Sequence, residues 1–312
     1  MRAGPKSRPS LSTGDIMAGS TSSNPSVLSP EDVRNIITVP LQKASVILNS
    51  GVNIIDSHGP VRIPTYTGHT DPAWHGENEL ISETEPTFGE VLLLDPRIKS
   101  VKSLHRYSNE LARQSISETA AAIQDRMVAD TAGKLDDTFI AGNGAPVDGY
   151  RTQPLGILSM TGTQAMTGVG TPTIDHLHDA EALALGAEVD PTKLKWIMHS
   201  RDFVGIRKLK DNSGRYLVQP DVTQAGAYQL LGHPVIVTNR VPKTGTGGVD
   251  TAIVLFDPSK ITVVRDLAPS VTLLTETFGE YDQQALRVVA RYDQAPVNPE
   301  AIVVLRGVKK AA

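Results

Sequence analysis

Cysteine is absent from all 312 residues, which excludes disulfides, thiolate metal sites and a cysteine nucleophile, and removes any need for an oxidising compartment. Aromatics are scarce. Five Phe and two Trp leave no series of platforms on which the bases of a single nucleic-acid strand would stack. No apolar run approaches the ~18 residues of a membrane span, and the opening MRAGPKSRPSLSTGDIMAGS lacks the hydrophobic segment of a secretory signal. The expectation is a soluble chain made in the cytosol, with no membrane attachment. Positive charge is not in excess either: 30 Lys and Arg against 34 Asp and Glu give a formal net charge of −4, whereas affinity for phosphate backbones rests on clustered cations. Short groups such as Arg207, Lys208 and Lys210 read as a solvated helix face. Enzyme signatures are missing as well. No Ser stands in a G-x-S-x-G setting, the Walker pattern is absent, and Gly142-Asn143-Gly144 follows a helix instead of opening one.

What is present begins with one long helix. Ser115 and Glu118 have the spacing of a capping box, and Ile116, Ala120, Ile123, Met127, Leu135 and Phe139 recur at helical intervals as one apolar stripe. Gly142 and Gly144 supply the stop. About 25 residues at 1.5 Å rise make a rod of roughly 37 Å, which suits a wide, flat protein better than a compact one.

Residues 1 to about 30 are rich in Ser, Pro and Gly and read as an arm that cannot offset its own ordering entropy. Ser29-Pro30-Glu31-Asp32 has the form of a helix start, with room only for a short helix before Pro40. From Gly51 the pattern turns to β, with Val52 to Ile55, Val61 to Tyr66 and Phe88 to Leu94 as strands. Between the last two lies GHTDPAWHGENELISETEPT, Gly68 to Thr87, polar and acidic with a single Trp. Two strands leading to such a tip make a projecting hairpin. An isolated hairpin is at best marginally stable, so a long one has to lie on something, and a neighbour's surface is the reading preferred over an active-site lid.

Downstream, Pro154 to Leu158 reads as a turn into a short strand, Thr171 to Gly186 as a capped helix, Leu194 to Ser200 as a buried strand and Arg201 to Lys210 as a short helix. Leu231 to Thr238 is a turn entering a strand, and GTGG at 245–248 marks a boundary. Mostly β sequence follows: Ala252 to Phe256, Ile261 to Arg265, Ser270 to Glu276, Gln284 to Tyr292 and Ala301 to Leu305. The expected fold class is α+β.

Asp175-His176-Leu177-His178-Asp179 is the one dense group of metal-ligand types. On a helix, residues two apart point about 200° away from each other, so both histidines cannot share an ion, and capping explains them better. His58, His69 and His75 with Asp56 and Asp71 allow a hydrolytic constellation to be imagined, but nothing in the pattern fixes one. No catalytic, cofactor or metal residue is assigned.

In this order the elements resemble the major capsid proteins of tailed bacteriophages, the Hong Kong 97-type fold. The resemblance rests on Val61-Arg62-Ile63-Pro64, Trp74 with Glu77, Glu85-Pro86-Thr87-Phe88, Ala141-Gly142-Asn143-Gly144, Pro154-Leu155-Gly156-Ile157, Trp196-Ile197-Met198-His199, Leu231-Gly232-His233-Pro234-Val235, Phe256-Asp257-Pro258-Ser259-Lys260 and Val288 to Tyr292. It implies an N-terminal arm at 1–50, an extended β-hairpin loop at 51–95 and a peripheral domain with the spine helix at 96–165. An axial domain at 166–246, a peripheral β section at 247–293 and a C-terminal strand returning to the axial domain at 294–312 complete the division. It also implies a homo-oligomer of pentamers and hexamers in a closed icosahedral shell around double-stranded DNA, bound without sequence specificity, assembled in the bacterial host cytoplasm with a portal. No Lys lies between Lys43 and Lys99, so no covalent link through a hairpin lysine is expected, and the short arm implies a separate scaffolding protein. Trp74, Glu77 and Glu83 are the candidate inter-subunit contacts: the aromatic as anchor, the acids as partners for Arg or Lys on a neighbour. Two other readings are an encapsulin-type compartment of the same fold and, more remotely, a metal-dependent hydrolase.

Overall fold

The computed structural model describes residues 41, 44–66, 74–77, 88–110, 118–210, 213–216, 228–266 and 270–310. In chain order it contains β1 (Asn53–Ser57), β2 (Val61–Tyr66), β3 (Phe88–Leu93), β4 (Val101–Ser108), α1 (Glu118–Ala141), β5 (Gln164–Met166), α2 (Ile174–Gly186), β6 (Lys195–Met198) and α3 (Ser200–Arg207). Then come β7 (Gln229–Leu230), β8 (His233–Val237), β9 (Thr251–Phe256), β10 (Ile261–Asp266), β11 (Ser270–Leu274), β12 (Gln283–Ala290), β13 (Tyr292–Pro296) and β14 (Ile302–Val308). The expected α+β class holds.

The largest sheet has the order β5-β14-β9-β6-β8-β7. Its central strand, TAIVLF, is buried at every residue, which is why it reads as a continuous apolar run without alternation. Ile253 and Leu255 face α2 and α3, where Leu177, Ala180, Ala184, Phe203 and Ile206 complete a core. Val254 and Phe256 face the other way, into a core shared with Val128, Ala132, Leu135 and Phe139 of α1. α2 starts where Thr173 and His176 cap each other's backbone, and it ends after Gly186.

α1 is the spine of the molecule. Met127 leaves the main core to pack on Leu286 and Val288 of the sheet β11-β12-β4, so the helix lies between two sheets. At its end, a Cβ on Gly142 would collide with the carbonyl oxygens of Thr138 and Pro154, and one on Gly156 with the backbone of Ile140, Ala141 and Gly142. The Gly156 N–H donates to the Gly142 carbonyl at 2.7 Å. The two glycines therefore bring the loop against the helix end at backbone contact distance. Buried Gln294 finishes the cap, its amide nitrogen donating to the Phe139 carbonyl at 2.7 Å and the Leu155 carbonyl at 2.8 Å.

The expectations shift at several places. Ser115, proposed as the cap of α1, lies outside the described residues. Ile157–Ser159 forms a single 3-10 turn, not the strand expected after Pro154. The strand expected from Gln284 to Tyr292 is two strands in two sheets, broken at Arg291, whose guanidinium is drawn aside to the carbonyls of Ile98 (3.0 Å) and Asp95 (2.8 Å). β4 and β5 were not expected. Segment 247–293 contributes to three sheets: β9 to the largest, β10 to the sheet β1-β10-β13, and β11 and β12 to the sheet on α1.

Candidate assembly interface

β2 and β3 pair antiparallel from Val61↔Leu93 to Tyr66↔Phe88. Their side chains sort by face. Val61, Ile63, Val91 and Leu93 point to one side and pack on Val264 and Ala295 of the sheet below, while Arg62, Pro64 and Glu90 point to solvent. Arg62 and Glu90 form an exposed ion pair at 3.0 Å, of the kind worth less than about 1 kcal/mol. Pro64 is tolerated because a two-stranded ribbon has only edge strands. The hairpin is thus anchored at its base, and Arg62, Pro64 and Glu90 leave its outer face exposed among the described residues.

Polar contacts fix the exit of the hairpin. Leu94 is buried with φ 56, a left-handed conformation that costs a non-glycine residue about 1–2 kcal/mol. Its N–H donates at 2.9 Å to Asp293, a wholly buried carboxylate that also takes the Gln294 N–H at 2.9 Å and stands 3.6 Å from Arg151. Arg151 in turn donates to the Leu92 carbonyl at 3.2 Å. Burial pushes the Asp293 carboxyl above its usual range, against the opposing pull of Arg151 and the two backbone donors. One residue on, Asp95 goes the other way: hydrogen bonds from the Arg97 side chain and backbone hold it well below the carboxylate range. The Arg97 guanidinium also lies 3.4 Å over the ring of exposed Tyr150.

α1 is tied to the start of the described chain. Asp136 on α1 accepts from Ser45 Oγ at 2.6 Å, Val46 N at 2.9 Å and Ile47 N at 3.2 Å, and burial raises its pKa despite those donors. Asp56 of β1 forms a bidentate pair with Arg265 of β10 at 2.6 and 2.9 Å. Asp56 is therefore committed to the fold and not to a hydrolytic group.

Of the three candidate contact residues, Trp74 is fully exposed at 103% relative accessibility, Glu77 is exposed beside it, and Glu83 lies outside the described residues. An indole left wholly in water is the strongest sign of an unfilled contact that the described residues offer. His58 and His75 are described, His69 and Asp71 are not. His176 spends its Nδ1 on the cap of α2, accepting the Thr173 N–H at 3.2 Å, and His178 turns to Glu181 at 3.6 Å, so the helix keeps them apart as its geometry requires. Among the described residues, no group of three or more His, Asp or Glu side chains is arranged to hold a metal. Sequence reasoning missed Asp293, Asp136 and the whole of β4. Asp136 stands next to Asp137 on α1 and Asp293 between Tyr292 and Gln294, so nothing in the local sequence separates these buried acids from exposed ones.

The phage capsid family model matches residues 26–307. The chain belongs to the phage capsid family. Solved structures give the same fold. The capsid of a native GTA particle computed with C5 symmetry superimposes with a TM-score of 0.68 at 17% identity, over 84% of this chain and 90% of that one. A structure from Mycobacterium phage Adephagia matches with a TM-score of 0.63 at 15% identity, over 84% and 89% of the two chains. One from Gordonia phage Cozz gives 0.62 at 16% identity, over 84% and 86%. No curated protein matches. The capsid protein is accordingly a structural subunit of a virion, a major capsid protein whose copies assemble with one another into a shell.

Proposed function

We propose that copies of this capsid protein close, as pentamers and hexamers, into an icosahedral shell around the double-stranded DNA of a tailed phage. It acts without catalysis or cofactor, is assembled in the bacterial cytoplasm, and leaves the portal and the scaffold to other chains. In this reading the hairpin lies across an adjacent subunit, with Trp74, Glu77 and Glu83 in contact. The sheet on α1 belongs to a peripheral region, and the six-stranded sheet with α2 and α3 to an axial one. The observation that carries it is Trp74: a large aromatic wholly in solvent, on a hairpin whose base is buried in its own subunit. Burying such a side chain between chains typically contributes about 2–4 kcal/mol per contact, and closed symmetry repeats the contact over every subunit. The net charge of −4 is in keeping with a container that holds DNA without reading or adsorbing it.

Deleting residues 68–87 tests the reading. The expected product is a folded subunit, with unchanged far-ultraviolet circular dichroism, that sediments as free subunits or small oligomers. A deletion variant that forms particles of normal size and yield refutes it.

A further inference from the structure

β6 and β8 are neighbouring parallel strands, in register from Trp196↔Val235 to Met198↔Val237. Beyond their carboxyl ends the chain parts. After β6 it enters α3, whose Phe203 and Ile206 pack on one face of the sheet, and after β8 it runs to Val241, which joins the core of α1 on the other face. Open α/β sheets hold their ligands in the crevice that such a divergence leaves. Here the crevice is a cavity of about 590 Å³, open to solvent and lined by His199, Ser200, Asn239, Val241, Pro242 and Lys243.

The polar part of this lining consists of donors. His199 is 6% exposed, and its Nδ1 accepts the Arg201 N–H at 3.0 Å, which caps α3. Burial, reinforced by the charge of Lys243, holds its pKa below the ordinary value against the pull of Asp202, so at neutral pH the ring is uncharged and carries its hydrogen on Nε2. That N–H has no acceptor among the described residues. Ser200 opens α3, so its backbone N–H has no partner within the helix. Its hydroxyl is spent on Asn239 Oδ1, which leaves the Asn239 amide nitrogen without a partner among the described residues. Lys243 is exposed and forms no ion pair among them. No acid lines the cavity. Asp202 of α3 is buried and committed to Arg201 at 3.0 Å and to the Thr251 hydroxyl at 2.6 Å.

We propose that this cavity binds a phosphate-class oxyanion, as inorganic phosphate or as the phosphoryl group of a small phosphomonoester. The class follows from the donors. The Ser200 N–H, His199 Nε2, Asn239 Nδ2 and Lys243 Nζ meet at the N-terminal end of a helix, where a tetrahedral anion answers them from several oxygens and a planar carboxylate would leave some unanswered. The volume exceeds what a bare ion needs, and Val241 and Pro242 supply an apolar wall for a carrier. Bound there, the anion ties the start of α3 to residues 239–243, a segment already held to α1 by the pair Arg240–Asp137 at 3.1 Å. The site thus stiffens the joint between the six-stranded sheet and the spine helix, independently of the hairpin.

The test uses the full-length chain as isotope-labelled, unassembled subunits, titrated with sodium phosphate against sodium chloride at constant ionic strength and neutral pH. The expected result is a saturable set of amide shifts centred on 199–201 and 239–243, with a Tm that rises with phosphate by mass action. Lys243→Ala should weaken the apparent affinity about ten-fold. His199→Asn, which keeps a side-chain oxygen to cap α3 but withdraws the ring N–H, should weaken it similarly. Lys309→Ala, an exposed lysine outside the cavity, should leave it unchanged. If His199→Asn fails to fold, Lys243→Ala decides alone, because its side chain is exposed. A nucleoside monophosphate that shifts the same amides more tightly than phosphate assigns the rest of the cavity to the carrier, and equal affinity assigns it to the phosphoryl group only. Shifts that chloride reproduces, that Lys243→Ala leaves unchanged, or that appear with duplex DNA and with neither phosphate nor monophosphate overturn the proposal.

Discussion

Asp293 concentrates the electrostatics of the hairpin base in one side chain. It is wholly buried, it holds the left-handed Leu94 by its N–H, and its nearest cation is Arg151. Because burial raises its folded pKa above the ordinary value of 3.8, the native state binds more protons than the unfolded state between those two values. Its contribution to stability therefore grows as pH falls through the raised pKa and is smallest at neutral pH. Asp136 shifts in the same direction for the same reason, while Asp95 opposes it weakly from the solvent-screened surface. Asp293→Asn removes the titration and keeps the volume. In urea unfolding of unassembled subunits, the stability of the wild type relative to the variant should increase as pH is lowered from 7 towards 4; a constant difference would contradict the assignment.

Elements show which parts of this chain were legible before its structure. β2 was bounded correctly because its residues alternate, and β9 was found to within one residue, starting at Thr251 and not Ala252, because a central strand buried on both faces is continuously apolar. α1 was legible from its stripe, since Met127, Leu135 and Phe139 are among the most deeply buried residues. β4 escaped because Leu104 faces solvent amid Lys102 and Arg106, which erases the alternation that would mark a strand. Arg291 hid the break between β12 and β13: in sequence it continues an alternating run, and only its distant carbonyl partners reveal the turn. The candidate site was half legible. The tip announced itself by composition, but the sheet packed on α1 is assembled from strands about 180 residues apart in sequence, pairing 101–108 with 283–290. The glycine pair after α1 could be seen as a phrase and not as a contact. Gly156→Ala forces a methyl into the backbone of the helix end and should cost about 3 kcal/mol or more. Gly59→Ala, where nothing lies within 4 Å, should stay within about 0.5 kcal/mol. Thermal or denaturant unfolding of the two variants would separate them, and equal effects would show the close approach to be unimportant.

At the scale of the whole molecule, the subunit has a complete core of its own and an incomplete periphery. The six-stranded sheet is covered on both faces, whereas the indole of Trp74 is wholly exposed and Leu104 on β4 is half exposed. Folding and assembly should then be separable events, with damage to the core abolishing both and damage to the periphery abolishing only the second. The chain carries its own spectroscopic reporter of that separation. Its two indoles occupy opposite extremes: Trp196 is sealed in the interior, its Nε1 donating to the Leu230 carbonyl at 3.2 Å, while Trp74 stands in water. Trp196 should emit at short wavelength in every folded state, so any blue shift when subunits join must come from Trp74 leaving solvent. Following emission through particle formation would time the arrival of each hairpin on its neighbour, and Trp74→Phe should leave the same reaction spectroscopically silent.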